Sequence, residues 1–472
     1  MSVAALPVFI AFLAILLAVN LAVRRRAGTA RDFFFAPGGL GAPLVALSLS
    51  AAWFGATSIL VSMDEACRRG VGAFWIIGMP AVLTLLAMLP LAGRAARLTS
   101  MTLPEMAESR YGPTVRRLVA FLIYWYMVVF AASQLVALGR FLQAFLDAPY
   151  LLCLGAAALT VLAYAVLGGF FSVVLAESLQ FAVLLAGMSG LAVFLLGRTG
   201  FAAVADEAGR LNIAGYFDFL ADGRRSVLTC LSFLLAWIVS PVAWQRIRSA
   251  RSARAARRGI LASVPIFLIL YGLVVAAGML SLPLTGAPSG ETPLVSELIA
   301  SRTGPYLGAL LFAAVLAAVI STLDAGVNTG ALTMVRDLVP AAAGGGRSGV
   351  ARSRLATALT MALAFLAASR FTSILGTLGL ASEIMAEGLF LPGAAMFVLK
   401  RKLPTAGLLS LSLGGGFALA GFLSRAGGLP LALPEWPFSL PAGLGLSAAG
   451  FGLGAAWDLG GRAFVLRRKD AG

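Results

Sequence analysis

Long apolar runs, separated by short polar stretches rich in arginine, follow one another along almost the whole chain. Each run is long enough to cross a hydrocarbon layer of ~30 Å as a helix. Thirteen such runs lie at about 4–23, 44–68, 71–93, 118–145, 149–169, 171–196, 226–246, 259–284, 306–338, 353–376, 378–399, 405–424 and 437–460. The pattern predicts an all-α polytopic membrane protein with 13 transmembrane helices.

The composition of the chain agrees with this pattern. Of its 472 residues, 60% are hydrophobic and 12% are charged, whereas soluble proteins average roughly 45–50% and 25%. The first run is uncharged and is followed by Arg24–Arg26 without a small-residue cleavage site. We therefore expect a retained helix, not a removed signal peptide. We also expect 1–472 to form a single transmembrane domain in a lipid bilayer, with no soluble domain in the loops.

The basic residues predict the orientation of the chain. The net charge of +16 is spread over short clusters between apolar runs, not over one basic face, so we expect no nucleic-acid partner. If the N-terminus lies outside, 26 of the 36 Lys and Arg residues fall in segments on the inner side. Positive charge favours the cytoplasmic side. These counts predict a multi-pass protein of a prokaryotic plasma (inner) membrane, with the C-terminus in the cytoplasm.

Thirteen crossings allow an internal symmetry. Helices two to six (42–197) and seven to eleven (226–402) form two blocks of five with opposite orientation. An extra N-terminal helix and inner loop (1–41) precede them, and two additional helices with a short cytoplasmic tail (403–472) follow. Inverted repeats of this kind are a transporter architecture. The sequence thus predicts a 5+5 inverted-repeat core.

The leading helix of each block carries a candidate break at mid-membrane. Helix two contains the small-residue run Ser50–Ser58, and helix seven contains Ser240-Pro241, where proline removes a backbone donor. Glycine and proline also kink or pack ordinary transmembrane helices, which is the alternative for each site. Their corresponding positions in the two blocks favour a pair of interrupted helices.

Polar side chains inside one apolar run point to an ion or substrate site. Ser321, Thr322 and Asp324 lie near the middle of the run 306–338, where polar atoms without partners are costly. The alternative is that the hydroxyls bond back to their own helix. The chain has no histidine, which excludes imidazole proton relays, His-ligated metals and Ser-His-Asp catalysis. We expect no enzyme activity and no organic cofactor.

Five local motifs follow one another in a fixed order over about 300 residues. They are A-A-W-F-G-A-T-S-I-L with D-E-A-C-R-R-G (to Gly70), T-L-P-E-M-A-E-S-R-Y-G (from Thr102), G-G-F-F-S-V-V-L-A-E-S-L-Q (from Gly168), Gln245-Arg246 with the basic run after it, and A-A-V-I-S-T-L-D-A-G with Arg336-Asp337-Leu338. Together they resemble the sodium:solute symporter family, which has the leucine-transporter-type inverted-repeat fold. In the third motif, Ala176-Glu177 stands where the family usually has Thr-Asp.

The resemblance implies a sodium site made of oxygen atoms, with Na⁺ as the co-transported ion. The sodium ligands that it implies are the Ser321 and Thr322 hydroxyls and the carbonyls of Ala51, Phe54 and Ala318. Sodium is a hard cation, and neutral carbonyls and hydroxyls bind it weakly enough for release. Because such a cage joins helix two to helix nine, sodium binding holds two moving parts together and favours an outward-facing state.

Four carboxylates inside the membrane have open roles. The resemblance places Glu177 on the inward ion path, with a plain salt bridge as the alternative. Asp324 lies beside the expected cage, where it adds negative potential without necessarily touching the ion, and we expect it on the ion path as well. Glu383 and Glu387 lie four residues apart on one face of helix eleven. Two carboxylates so close should not both ionise without a nearby cation. They indicate a cationic or amine-bearing solute, a proton site, or an ion pair with Arg370.

The solute site is expected beside the break in helix two. The candidate residues are Trp53, Gly55, Thr57, Ser58, Ser240, Trp244, Glu383 and Glu387. Trp53 offers a face to a ring or an ammonium group, with core packing as the alternative. The resemblance places Ile77 and Pro80 where sugar carriers have polar ligands, which disfavours a sugar. Amino acids, carboxylates, vitamins, urea and choline-like amines stay open.

These observations predict a sodium-coupled secondary active symporter that imports a small polar organic solute by alternating access. Two alternatives remain. One is a proton-coupled carrier that uses Glu177, Asp324 or the pair Glu383 and Glu387 in place of sodium. The other is a transporter-like membrane sensor that works with a separate signalling partner.

Overall fold

The computed structural model of the chain is built of helices joined by short connections. It describes residues 5–23, 33–35, 39–95, 100, 102–146, 148–166, 170–221, 223–288, 292–339, 346–371, 373–399, 401–425 and 431–469. The helices are α1 (Ala5–Val23), α2 (Ala42–Trp53), α3 (Ser62–Arg69), α4 (Gly78–Ala95), α5 (Leu103–Tyr111), α6 (Pro113–Leu146), α7 (Tyr150–Ala165), α8 (Phe170–Leu196), α9 (Phe201–Arg210), α10 (Gly223–Ile238), α11 (Pro241–Arg248), α12 (Ala253–Thr285), α13 (Leu294–Ser301), α14 (Pro305–Thr333), α15 (Gly346–Ala368), α16 (Ile374–Glu383), α17 (Phe390–Val398), α18 (Pro404–Arg425) and α19 (Leu440–Lys469). Short π-helical segments lie at Thr57–Val61, Met334–Leu338 and Ile384–Leu389, and a 3-10 helix lies at Gly70–Trp75.

Many of these helices are apolar enough to cross a membrane. Within the described residues, nine pass the length and composition expected of a membrane span, or up to ten if α10 and α11 form one bent span. Three predicted crossings coincide instead with shorter apolar helices, at Ile10–Val19, Ala42–Trp53 and Tyr150–Ala163. The polytopic, all-α class is confirmed. The count of thirteen stays a prediction.

Helix α14 forms the centre of the bundle. It packs against α6 and α8, and every residue from Ala314 to Thr333 is buried. Its many Ala, Gly, Ser and Thr residues allow neighbouring backbones to approach closely. On the outside, Leu152, Leu159 and Val193 are more than half exposed, as expected for side chains that face lipid. The polar groups of α14 therefore lie inside protein.

Both predicted helix breaks are confirmed. Helix α2 ends at Trp53, Phe54 leaves helical geometry with φ −87° and ψ 70°, and the chain resumes in the π-helical segment Thr57–Val61. In the second block, α10 ends at Ile238 and α11 begins at Pro241 after a bend of 41°. Proline suits this first helical position because a backbone N–H there has no acceptor within the helix, so its absence costs no hydrogen bond.

The connections hold more helix than the apolar pattern predicts, because that pattern detects crossings only. The connection between α8 and α10 contains α9, and the connection between α4 and α6 contains α5, whose first turn is capped by Thr102. Helix α15 begins at Gly346, ahead of the predicted start at 353. The cluster Arg24–Arg26 and the first two glycines of the third motif, Gly168 and Gly169, lie outside the described residues.

Candidate functional site

The break after α2 places backbone directly against α6 and α14. A Cβ atom at Gly55 would lie 2.6 Å from Thr322 Oγ1 and 2.7 Å from Gln134 Oε1, so glycine is the residue that permits this approach. The Ala56 N–H, freed by the break, donates to Gln134 Oε1 at 3.0 Å. The break is thus held by α6 on one side and by α14 on the other.

Two hydroxyls and two carbonyls meet at this break. Ser321 Oγ lies 3.0 Å from the Ala51 carbonyl and 2.9 Å from the Ala318 carbonyl. Thr322 Oγ1 lies 3.4 and 3.1 Å from the same two oxygens. All four residues are at most 2% exposed. The structure brings together four of the five predicted sodium ligands and places the fifth, Phe54, at the break itself.

The structure contains a contact that supports each of the two interpretations of these hydroxyls, the sodium site and the bond back to their own helix. The Ala318 carbonyl belongs to the same helix as Ser321 and Thr322, so a bond back to their own helix is formed. The Ala51 carbonyl belongs to α2, which the alternative of a purely local bond does not explain. The sodium-binding role of these atoms stays a prediction.

A small cavity adjoins this cluster. It has a volume of about 20 Å³, roughly enough for one water molecule. Its lining comprises Trp53, Gly55, Thr57, Ser58, Ile77, Phe130, Gln134, Trp237, Thr322 and Leu378. All four predicted solute residues of the first broken helix therefore lie on one cavity, which they share with Thr322.

Aromatic rings form one wall of this cavity. The Trp53 ring lies 5.7 Å from Trp237 and 6.3 Å from Phe267, measured between centroids. Next to it, Ser58 Oγ and the Tyr271 hydroxyl are 2.8 Å apart. Trp53 thus packs against other rings and also presents a face to the cavity.

Sequence reasoning missed several residues of this neighbourhood, among them Gln134, Trp237 and Tyr271. Gln134 carries an amide in the middle of an apolar run, and the argument used for Ser321 applies to it equally. The two aromatic residues gave no such signal, because rings in transmembrane helices are ordinary packing residues.

The predicted solute residues of helix seven and helix eleven lie elsewhere. Ser240, Trp244, Glu383 and Glu387 are not among the described residues that line the cavity. Trp244 donates its indole N–H to the Ile238 carbonyl at 2.9 Å, an acceptor freed by the second break, and its ring stacks on Phe397. The bend at Ser240 turns Trp244 into a second cavity, where it lies beside polar residues that include Thr102, Gln245 and Thr329.

Glu177 is part of a buried ion pair. Its carboxylate pairs with Arg246 and accepts from Ser48 Oγ, and Arg246 Nε also donates to Ser48 Oγ at 2.9 Å. Glu177 and Arg246 are at most 1% exposed. The contacts are those of the salt-bridge alternative, and they connect α8, α11 and α2.

Asp324 lies one turn beyond Ser321 on α14 and is 4% exposed. Within the described residues, its carboxylate has no hydrogen-bond or ion-pair partner. An intramembrane carboxylate in this position is unfavourable unless a cation or proton is near. The geometry therefore suits the predicted role of Asp324 beside an ion path.

The structure corrects the partner of the glutamates on helix eleven. Glu383 forms its ion pair with Arg425 at the end of α18, not with Arg370. Arg370 is exposed beyond the end of α15, whereas α18 packs against the segment that carries Glu387. The alternative of an ion pair with Arg370 is therefore wrong, because α18 supplies the arginine.

We expect Gly55→Ala to abolish or strongly weaken sodium binding. The added methyl group must displace Thr322 Oγ1 or Gln134 Oε1, since both lie well inside contact distance. The measurement is the sodium-dependent rise in unfolding temperature of the purified protein. Gly155→Ala on α7, where a Cβ meets no atom within 4 Å, is the matched control and should keep the wild-type rise. An unchanged rise in Gly55→Ala would place the ion elsewhere.

Comparison with known proteins gives a consistent result. The model of the family described as "SSF: Sodium:solute symporter family" matches residues 33–401. The sodium/pantothenate symporter of Escherichia coli K12 is 23% identical over 349 residues, which cover 70% of this chain and 71% of that protein. The sodium/proline symporter of Haemophilus influenzae is 24% identical over 243 residues, about half of each chain (48% and 48%).

A solved structure shares the fold. It is that of a Na⁺-coupled sialic acid symporter in a substrate-bound, outward-open state, and it superimposes with a TM-score of 0.76. The match covers 96% of this chain and 98% of that one at 16% sequence identity. The likeness therefore extends over almost the whole chain.

Proposed function

Because the chain belongs to the sodium:solute symporter family, we propose that its sodium ion binds at the break between α2 and the π-helical segment that follows. The chain is a sodium-coupled solute symporter of multi-pass architecture and not an enzyme. The proposed ligands are the Ser321 and Thr322 hydroxyls and the carbonyls of Ala51, Phe54 and Ala318. The observation that carries this assignment is the convergence of both hydroxyls on the Ala51 carbonyl across two elements.

The chemistry of these donors suits sodium. All are neutral oxygens, and each hydroxyl keeps lone pairs for a cation when its hydrogen turns away. A cage of neutral oxygens binds a monovalent ion weakly enough to release it on the inner side. Asp324, one turn away, adds negative potential, and we assign it together with Glu177 to the ion path. The Glu177 carboxylate on that path is already neutralised by Arg246.

The position of the site explains coupling. Sodium links the end of α2 to the middle of α14, so its binding stabilises conformations in which the two are in contact. The cavity shares Gly55 and Thr322 with the site. A solute in the cavity and an ion in the cage then favour the same arrangement of α2, and each raises the affinity for the other.

We place the small polar organic solute in this cavity. The lining offers hydroxyls, one amide and aromatic rings, which recognise polar groups and cover apolar ones. At about 20 Å³ the cavity must widen to admit such a solute. Amino acids, carboxylates, vitamins, urea and amines stay open as candidates.

The architecture that we propose for transport is a 5+5 inverted repeat, at 42–197 and 226–402, within thirteen crossings. Each repeat begins with an interrupted helix, α2 or α10 and α11, which supports the assignment. The N-terminus then lies outside and the C-terminus in the cytoplasm of a cell with this protein in its inner membrane. Residues 1–41 and 403–472 add one and two helices to the core.

Contacts at the proposed inner side close the path beneath the second cavity. Arg336, just beyond α14, pairs with Glu105 of α5 at 2.7 Å. Thr102, which caps α5, donates to Asp337 at 2.8 Å. These partly exposed contacts tie α5 to the inner end of α14, and alternating access requires them to separate when sodium and solute leave.

Transport in reconstituted vesicles tests this function. We expect an inward sodium gradient alone to drive accumulation of the solute, and a pH gradient alone to drive none. The solute is found first, by screening amino acids, carboxylates and amines for a rise in unfolding temperature that requires Na⁺ and not K⁺. Accumulation driven by the pH gradient alone would instead favour the proton-coupled carrier. The buried Asp324 carboxylate is the observation that supports this second candidate.

A further inference from the structure

A second buried polar cluster lies outside the proposed sodium and solute sites. Glu383 ends α16 and Glu387 lies in the π-helical segment Ile384–Leu389, and each is 1% exposed. π-helical turns occur often at functional positions because they redirect side chains. Here the turn directs both carboxylates at α18 and α19, the two helices that follow the proposed repeats.

Among the described residues, the hydrogen bonds of this cluster leave one carboxylate oxygen without a donor and Arg425 Nε without an acceptor. The Ser439 hydroxyl lies 2.6 Å from Glu383 Oε1 and 2.9 Å from Glu387 Oε1, but it has a single hydrogen to donate. Arg425 pairs with Glu383. In the described part of the chain, Glu387 Oε2 is buried without any hydrogen-bond partner, packed against Gly443 of α19. Glu387 Oε2 therefore lacks a donor.

The cluster also carries more negative than positive charge. The charged side chains that act on Glu387 in the described structure are Glu383 from α16 and Arg425 from α18. Two carboxylates and one guanidinium leave one net negative charge in a buried site. A buried uncompensated charge is expensive, and a pair of close carboxylates relieves that cost by sharing a proton.

We propose that Glu383 and Glu387 form a proton-binding site that holds one exchangeable proton at neutral pH. The proton neutralises one carboxylate and supplies the missing donor. A metal cation does not fit as well, because one hydroxyl and two carboxylates already engaged by Arg425 and Ser439 leave few free oxygens. The described residues also contain no group of three or more metal-ligating side chains. This site is separate from the sodium cage and does not depend on it.

The proton site acts where the core meets the last two helices. Ser439 stands immediately before α19 and bridges both glutamates. Loss of the proton places a second negative charge beside Glu383 and removes a hydrogen bond from this joint. High pH therefore loosens the contact of the π-helical segment with α18 and α19.

Infrared spectroscopy of the purified full-length protein in lipid nanodiscs tests the proposal. A protonated carboxylic acid has a C=O stretching band that a carboxylate lacks. We expect Glu387→Gln and Glu383→Gln each to lose one such band at neutral pH, because a single carboxylate beside Arg425 needs no proton. We expect Arg425→Gln to gain one, because both carboxylates are then without a cation.

Glu207→Gln is the control. Its carboxylate is partly exposed on α9, and the Arg210 guanidinium holds the pKa of Glu207 below its usual range, so the spectrum should not change in this region. Unchanged bands in both Glu383→Gln and Glu387→Gln would overturn the proposal. Failure of Glu387→Gln to fold would also overturn it, because glutamine is the neutral isostere of the protonated acid.

Discussion

Replacing both Ser321 and Thr322 by alanine is expected to abolish sodium binding and sodium-driven uptake while the protein still folds. The two hydroxyls are half of the oxygen atoms that meet at the helix break. A hydrogen bond or contact to a charged group contributes about 1.5–3 kcal/mol, and each 1.4 kcal/mol changes affinity about tenfold. The double variant should therefore need at least about a hundredfold more sodium for the same rise in unfolding temperature.

The two single variants and a control variant at another buried hydroxyl make this test more specific. Ser321→Ala and Thr322→Ala should each raise the required sodium concentration about tenfold or more. Ser353→Ala removes a buried hydroxyl whose one hydrogen bond within the described residues is to the Gly349 carbonyl of its own helix, and this variant should leave the sodium response unchanged. If the double variant behaves like Ser353→Ala, the two hydroxyls serve only their own helix and the ion binds elsewhere.

The elements of this fold could be predicted from sequence because each depends on local composition. Apolar runs predicted the helices. The two breaks were predicted from the small-residue run Ser50–Ser58 and from Ser240-Pro241, and both patterns act on backbone geometry within a few residues. The position of Ser321 and Thr322 in a buried run was equally local. Connections such as α5 and α9 were missed because they are short and polar, so the pattern of crossings carries no information on them.

Partners across the bundle could not be predicted in the same way. Arg425 lies 42 residues from Glu383, and only the packing of α18 on the π-helical segment brings them together. Glu177 and Arg246 each belong to a recognised motif, yet 69 residues separate them. The position of Trp244 was also not predictable from sequence, because the bend at Ser240 determines which cavity this residue lines. Such choices depend on the tertiary arrangement of helices, which periodicity does not contain.

Glu177→Gln is expected to destabilise the protein by about 3–5 kcal/mol, the usual cost of breaking a buried ion pair from one side. The substitution leaves the Arg246 guanidinium buried and uncompensated between α2, α8 and α11. Unfolding in detergent, followed by heat or denaturant, measures the change. Glu177→Asp keeps the charge and restores the residue usual in the family, so it should recover part of the lost stability.

A double-mutant cycle separates the structural role of Glu177 from a role on the ion path. Glu177→Gln and Arg246→Gln should each be strongly destabilising, and the double variant should cost clearly less than the sum, because no uncompensated charge remains. Glu207→Gln, in a pair on α9 whose arginine is exposed, should cause little measurable change. If Glu177→Gln instead leaves stability intact and slows only sodium release, the carboxylate acts on the ion path and its pairing with Arg246 is incidental. Arg246 of α11 also donates to Ser48 of α2, so the ion pair fixes the arginine that connects the two broken helices, and its loss is expected to reduce transport as well as stability.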